Sequence, residues 1–176
     1  MTNYLKFYDL EGYLFDEVGP QFRKAGVLDP VDFFMIFIWK ANRAKTTVRD
    51  GLKNRAAGSF EKAVGQIAAS LSATNGQKKR LQVLMHSWPL KLPMASAILT
   101  VLYPEEFTVY DSRVCKELGF EYRPQREFSN ALWADYERYR GAVINATPAS
   151  VSLLRDKDRF LWGRSLRKDA ERDFKL

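Results

Sequence analysis

The chain has 176 residues, of which 46% are apolar and 14% aromatic, enough to bury one continuous core. This composition excludes an intrinsically disordered protein, and the single cysteine, Cys115, excludes an internal disulfide and any cysteine-based metal or iron–sulfur site. We therefore expect one domain spanning residues 1–176, without a metal or a cofactor.

The sequence has neither of the usual membrane signals. No apolar run reaches the roughly 18 residues that a membrane-spanning helix needs. The segment Met1-Thr2-Asn3-Tyr4-Leu5-Lys6 lacks the basic, apolar and small-residue order of a signal peptide. We expect no membrane partner and a cytoplasmic location, associated with the nucleoid if the protein is bacterial.

The formal net charge of +7 is unevenly distributed. Residues 1–32 carry three bases and six acids, whereas residues 40–62 carry seven bases and two acids. Residues 78–91 carry four bases and no acid, and the tail from Arg155 carries eight bases and five acids. Such clusters attract polyanions such as nucleic acid. A solvated, lysine-rich surface is the alternative interpretation.

The first strong helix signal is Asp29-Pro30-Val31-Asp32, which combines an N-cap acid, a proline at the first helical position and an acid in the first turn. Residues Phe33 to Ile38 are apolar on nearly every face, which is typical of a central buried helix. The pattern becomes polar at Lys40-Ala41-Asn42-Arg43, where we expect this helix to end.

Helical patterns continue along the rest of the chain, separated by short breaks. We expect helices after Thr46 or Thr47, from Ser59 to before Asn75-Gly76, from Gln77 to Ser87 with Pro89 ending it, from Pro93 through Leu102, from Asp111 to Gly119, from Ser129 or Asn130 through Tyr139, after Thr147-Pro148, and around Phe160-Leu161-Trp162. Strand-like alternation is scarce. The sequence therefore predicts an all-α fold, a compact orthogonal helical bundle.

Three stretches follow one another in a characteristic order. Phe34 to Val48 reads as a buried helix and turn, and Leu92-Pro93-Met94-Ala95-Ser96-Ala97-Ile98-Leu99 reads as a helix of small and aliphatic residues. Phe107-Thr108-Val109-Tyr110-Asp111-Ser112-Arg113-Val114 places an acid between an aliphatic segment and a helix start, 16 residues after Ala95. Together they resemble the helix-hairpin-helix DNA glycosylase superfamily, which includes endonuclease III-like, MutY-like and 8-oxoguanine glycosylases.

The resemblance implies a helix-hairpin-helix-like element and catalytic-acid segment at about residues 77–119. It also implies that Asp111 is the catalytic carboxylate. Asn42 falls where many members place a glutamine that fills the gap left by an extruded base. The base-pocket and gap-filling candidates are Trp39, Lys40, Asn42 and Arg43. The candidates for binding the DNA backbone are Lys45, Arg49, Trp88, Lys91 and Arg113.

Two departures from the family pattern bear directly on DNA binding and chemistry. The Gly-hydrophobic-Gly turn, which lets backbone amides approach a phosphate, is replaced by Pro89-Leu90-Lys91, so Lys91 would supply charge instead. The lysine that forms a Schiff base in some members would fall at Pro93, which argues against lyase chemistry. Lys40, if desolvated, is the alternative amine nucleophile.

These features predict a monofunctional DNA glycosylase, a DNA-repair hydrolase that binds duplex DNA with an extruded base and needs no cofactor. A carboxylate near the sugar stabilises the positive charge that develops as the base leaves and can orient a water. Simple N-capping is the alternative role for Asp111. A non-catalytic DNA-binding or scaffold protein with the same fold is the alternative function, and RNA or an acidic protein is the alternative partner.

Overall fold

The computed structural model describes residues 4–88 and 90–174, and every regular element in these residues is helical. The all-α prediction is confirmed. The helices are α1 (Leu10–Tyr13), α2 (Gly19–Ala25), α3 (Pro30–Ala41), α4 (Lys45–Arg55), α5 (Phe60–Ala73), α6 (Gln77–Gln82), α7 (Leu92–Leu102), α8 (Ser112–Glu117), α9 (Asn130–Asn145) and α10 (Leu154–Phe174). A 3-10 helix (Tyr4–Phe7) precedes them, and π-helical turns follow α1 (Leu14–Val18) and α6 (Val83–Ser87).

Helix α3 begins as its sequence predicts. The Asp29 carboxylate accepts hydrogen bonds from the amides of Val31 (2.8 Å) and Asp32 (3.2 Å), and Pro30 occupies the first turn. Phe33 and Phe37 of this helix are fully buried. Helix α3 contacts α4, α5 and α7, so it lies at the centre of the bundle, with its polar end emerging at Lys40.

Helix α7 is the second buried element. Every residue from Met94 to Leu102 is buried, including Ser96 and Thr100. The hydroxyl of Thr100 donates to the carbonyl of Ser96 (2.8 Å), which satisfies its hydrogen-bonding need inside the helix. Gly19 of α2 packs against α7 so closely that a Cβ atom there would lie 2.3 Å from the carbonyl oxygen of Val101.

Two boundary predictions differ from the structure or cannot be compared with it. The predicted helix start at Thr147-Pro148 is wrong, because α10 begins only at Leu154. The hydroxyl of Thr147 lies 3.1 Å from the carbonyl oxygen of Ile144, so it closes the end of α9 instead of capping a new helix. The predicted helix stop at Pro89 lies outside the described residues. None of the helices in residues 4–88 and 90–174 is long and apolar enough to cross a membrane.

The segment Phe107–Tyr110, which leads into α8, is not helical and forms no strand pairing in the described residues. Its backbone groups are satisfied by side-chain hydrogen bonds instead of by a neighbouring strand. The Tyr136 hydroxyl donates to the carbonyl of Thr108 (2.7 Å) and accepts from the Thr108 amide (3.1 Å), and the Tyr139 hydroxyl donates to the carbonyl of Val109 (2.9 Å). The amide of Tyr110 donates to Ser96 Oγ (2.9 Å). Helices α7 and α9 therefore fix the backbone immediately before Asp111.

Candidate active site

A cavity of about 470 Å³ opens where α1, α3, α8 and α10 meet the segment Phe107–Tyr110. Its volume falls within the roughly 300–1,000 Å³ of small-molecule sites. Aromatic, acidic and basic side chains share its wall. The lining residues are Glu11, Trp39, Lys40, Val109, Asp111, Val114, Asp158, Arg159 and Trp162.

Asp111 is held at both carboxylate oxygens. Oδ1 accepts from the amide of Arg113 (2.9 Å), which makes Asp111 the N-cap of α8. Oδ2 accepts from Nζ of Lys40 (2.7 Å), which ties the end of α3 to the start of α8. The carboxylate is thus both a helix cap and part of the cavity wall.

The Lys40–Asp111 ion pair is largely withdrawn from solvent, with side-chain exposures of 13% and 21%. Burial opposes ionisation of Asp111, but the charge and hydrogen bond of Lys40 and the α8 amides outweigh burial and hold the pKa of Asp111 below its usual value. Asp111 is therefore a permanent negative charge at physiological pH. A charge in such a shielded place acts more strongly than one in bulk water.

Asp158 is a second carboxylate in the same cavity, contributed by α10. Its Oδ2 accepts two hydrogen bonds, from Thr108 Oγ1 (2.9 Å) and from the amide of Val109 (3.0 Å), and its side chain is almost fully buried. Burial raises the pKa of Asp158 to about 6, against the opposing effect of these two hydrogen bonds. The cavity therefore contains two carboxylates with pKa values shifted in opposite directions.

Two indoles and two further charged groups complete the wall. Trp39 packs edge-on against Phe15, with ring centroids 5.5 Å apart, and is partly buried. Trp162 is 43% exposed, and the guanidinium of Arg113 lies 5.4 Å from its ring centroid. Glu11 binds Arg159 (3.2 Å). Flat aromatic surfaces beside fixed charges are suited to a planar, polar ring.

The structure brings three of the predicted site residues together: Trp39, Lys40 and Asp111. Asn42 is not among the lining residues; it caps the exposed end of α3, where its Oδ1 accepts from Lys45 Nζ (2.5 Å). Arg43 is exposed in the following turn. Lys40, rather than Asn42, is the α3 residue that meets Asp111.

The five residues predicted to bind the DNA backbone are dispersed. Arg49 forms an ion pair with its neighbour Asp50 (2.8 Å), and Lys45 contacts Asn42. Trp88 is 6% exposed and belongs to the hydrophobic core, so its ring packs inside the protein. Lys91 is exposed at the N-cap of α7, and Arg113 forms an ion pair with Asp169 of α10 beside the cavity.

Sequence reasoning missed all the lining residues that come from α1 and α10, which are Glu11, Asp158, Arg159 and Trp162. Asp158 stands in the run Asp156-Lys157-Asp158-Arg159, which has the composition of a solvated helix surface. Nothing in that run distinguishes a buried acid from its exposed neighbours. Its role becomes visible only through its contacts with Thr108 and Val109.

The arrangement can stabilise a developing positive charge with Asp111 and exchange a proton through Asp158, beside aromatic surfaces that accept a flat ring. Within the described part of the chain, no three His, Cys, Asp or Glu side chains come together as a metal-binding group. No family model, no curated protein and no solved structure matches this chain.

Proposed function

We propose that the protein is a monofunctional DNA glycosylase that hydrolyses the N-glycosidic bond of a damaged or modified base, with Asp111 as the catalytic carboxylate. The observation that carries the proposal is the position of Asp111. It is an ionised carboxylate in the wall of a cavity large enough for a small ligand, and buried tyrosines fix the backbone of Thr108 and Val109 just before it. The resemblance of residues 92–99 and 107–114 to the glycosylase superfamily supports the same assignment.

The chemistry required by such a reaction fits this geometry. As the base departs, the sugar becomes positively charged, and a carboxylate fixed in a low-dielectric site lowers the energy of that charge. Lys40 keeps Asp111 ionised and oriented, because it holds Oδ2 at 2.7 Å. The indoles of Trp39 and Trp162 supply flat surfaces for a base removed from the DNA stack.

The experiment incubates the full chain with duplex oligonucleotides that carry uracil, oxidised, alkylated or hypermodified bases, followed by alkali to cleave abasic sites. We expect strand cleavage at one class of base, and a loss of about 100-fold or more in Asp111→Asn. The substituted asparagine side chain keeps an oxygen that can accept from the α8 amide or from Lys40, so circular dichroism and melting should show a folded control. If no base in the panel is released, the proposal fails.

Treatment of the same reactions with sodium borohydride tests the role of Lys40. A monofunctional glycosylase forms no Schiff base, so no covalent protein–DNA product should be trapped. Trapping that disappears in Lys40→Met would make Lys40 a nucleophile and the enzyme bifunctional.

A second function, DNA binding without catalysis, is favoured by one observation: both oxygens of Asp111 already have protein partners. A purely structural Asp111 would hold α3 and α8 together and nothing more. That function predicts salt-dependent DNA binding with no base release, unchanged affinity in Asp111→Asn and weakened affinity in Lys91→Glu. Competition between duplex DNA and single-stranded RNA identifies the nucleic acid.

A further inference from the structure

The two aspartates that line the cavity differ in which of their carboxylate oxygens accept hydrogen bonds. Asp111 uses Oδ1 for the amide of Arg113 and Oδ2 for Lys40. Asp158 accepts both of its hydrogen bonds at Oδ2, and its Oδ1 accepts none from residues 4–88 and 90–174. A carboxylate oxygen without a protein donor, in a residue that lines a cavity, is available to a ligand or a water molecule.

Hydrolysis of a glycosidic bond needs a group that removes a proton from the attacking water. Asp111 is poorly suited to that task, because a lysine ammonium and helix amides stabilise its ionised form and weaken it as a base. Asp158 is better suited, because burial makes its carboxylate more basic. The two groups therefore suit different parts of one reaction.

We infer that Asp158 is a second catalytic residue, which accepts the proton of the attacking water while Asp111 acts as a fixed negative charge; this rests on the proposed glycosylase function. The bond between the sugar C1′ and the base nitrogen breaks, and its electron pair leaves with the base. The water oxygen bonds to C1′, and one water proton passes to Asp158 Oδ1. That proton then passes to the departed base or to solvent, which returns Asp158 to its ionised form.

The surroundings of Asp158 determine how its protonation depends on pH. Lys40 lowers its pKa, and Glu11 raises it. The charged and titratable side chains around it are Glu11 of α1, Lys40 of α3, Asp111 before α8, Tyr136 and Tyr139 of α9, and Arg159 of α10. Burial keeps the two tyrosines neutral across the relevant range, so they add no titration of their own.

The test measures single-turnover base release by the wild type, Asp158→Asn and Asp111→Asn on the duplex that the wild type cleaves. We expect the rate of base release by the wild type to fall as the pH falls through about 6. Asp158→Asn should release the base about 10²–10⁴-fold more slowly at neutral pH, and its rate should not show this decrease at low pH. Sodium azide attacks carbon without losing a proton. It should therefore restore release in Asp158→Asn, with a 1′-azido sugar as product, and should not restore it in Asp111→Asn.

Two controls separate catalysis from folding. Binding of a duplex with a tetrahydrofuran abasic analogue should be the same for Asp158→Asn and the wild type, because the substituted asparagine keeps an acceptor for Thr108 and Val109. Thr108→Val retains Asp158 but removes one hydrogen-bond donor that lowers the pKa of Asp158. The decrease in the rate of base release at low pH should therefore begin at a higher pH.

The outcomes distinguish the two proposals. Base release by the wild type that persists at full rate in Asp158→Asn, or that azide does not restore, overturns the role of Asp158 and leaves the glycosylase function standing. A wild-type rate of base release that increases at low pH, with no such increase in Asp158→Asn, also overturns it, since Asp158 would then donate a proton to the leaving base. If the rate of base release falls at the same pH in Thr108→Val as in the wild type, the role of Asp158 is contradicted as well. Absence of release by the wild type removes the glycosylase function itself, and the role of Asp158 with it.

Discussion

The ammonium of Lys40 lies 2.7 Å from the carboxylate of Asp111, although 71 positions separate the two residues. Lys40 stands in the last turn of α3, and Asp111 caps α8. A cation at a helix C-terminus and an anion at a helix N-terminus each interact favourably with the helix dipole. The pair therefore joins two helix ends that already favour these charges, and it determines the charge of Asp111 in the cavity.

Lys40→Met should destabilise the protein, because it leaves the Asp111 carboxylate without its cation in a poorly solvated site. We expect a loss of about 2–4 kcal/mol in the free energy of unfolding at neutral pH, measured by urea denaturation. The pKa of Asp111 is lowered in the folded protein, so this contribution is complete above the unfolded pKa of about 4 and disappears as the pH falls through the folded value. The double variant Lys40→Met/Asp111→Asn should recover part of the loss. Equal destabilisation at acid and neutral pH would contradict this account.

Asp158→Asn should change the pH dependence of stability in the opposite direction. Burial raises the pKa of Asp158 from 3.8 to about 6, so the folded state binds a proton that the unfolded state has released. The wild type therefore loses stability from this group between about pH 4 and about pH 6, by an amount on the order of 3 kcal/mol. The unfolding free energy of Asp158→Asn minus that of the wild type should rise across this interval and then level off. A flat difference would show that Asp158 titrates normally.

Tyr136→Phe and Tyr139→Phe test how the segment Phe107–Tyr110 before Asp111 is held. The Tyr136 hydroxyl makes two well-formed hydrogen bonds, to the amide (3.1 Å) and the carbonyl (2.7 Å) of Thr108. The Tyr139 hydroxyl makes one, to the carbonyl of Val109 (2.9 Å), and a less well-formed contact with the backbone of Asp111. Each unsatisfied buried group costs about 1–3 kcal/mol. Tyr136→Phe should therefore be the more destabilising of the two in urea denaturation, and both should slow base release. The reverse order of stability would mean that water replaces the Tyr136 hydroxyl.

Gly19→Ala should disturb the contact between α2 and α7. The new methyl group would lie 2.3 Å from the carbonyl oxygen of Val101, and backbone cannot yield as a flexible side chain can. We expect a loss of about 1–3 kcal/mol in the free energy of unfolding. Gly65→Ala in α5 is the matched control, because no atom outside its own helix lies within 4 Å of the added carbon. The free energy of unfolding of Gly65→Ala should increase by about 0.5–1 kcal/mol, because alanine lowers the backbone entropy of the unfolded chain.

Lys91→Glu should weaken binding to duplex DNA and reduce its dependence on salt. Lys91 is exposed at the start of α7, where no ion pair with another described residue neutralises it. Each phosphate contact adds about 0.9 to the slope of log affinity against log salt. Lys24→Glu makes the same charge change in the acid-rich N-terminal region and should have a smaller effect. Equal effects of the two variants, measured by fluorescence anisotropy, would show only a response to net charge.

Local signals in the sequence predict much of the fold. Asp29 and Ser59 cap α3 and α5 as their residue types indicate, because N-capping depends on neighbours within one turn. Asp9 caps α1 and Pro20 lies in the first turn of α2, but these helices between residues 10 and 25 are too short for a periodic pattern to predict them. Thr147-Pro148 predicts the start of α10 too early. Proline and threonine mark a break in the chain, but the hydroxyl of Thr147 binds the preceding helix, and local sequence does not determine that choice.

The candidate site is only partly predictable for a related reason. Asp111 follows a recognisable segment, and Lys40 marks the polar end of a buried helix, so the sequence identifies both as candidates. Their pairing, and the contribution of Asp158, depend on contacts between residues far apart in the chain. A charged run on a helix gives no sign of which acid is turned inward, because burial is a property of the assembled bundle.

Because α10 supplies Asp158, Arg159 and Trp162 to the cavity wall, the ribosome has made nearly all of this chain before the cavity can close. A nascent chain that ends before residue 158 contains α3 and α7 but lacks the α10 side of the cavity wall. Fragments that end before α10 should consequently retain much helical signal in circular dichroism while lacking a ligand site. The proposed activity therefore requires a chain that includes α10.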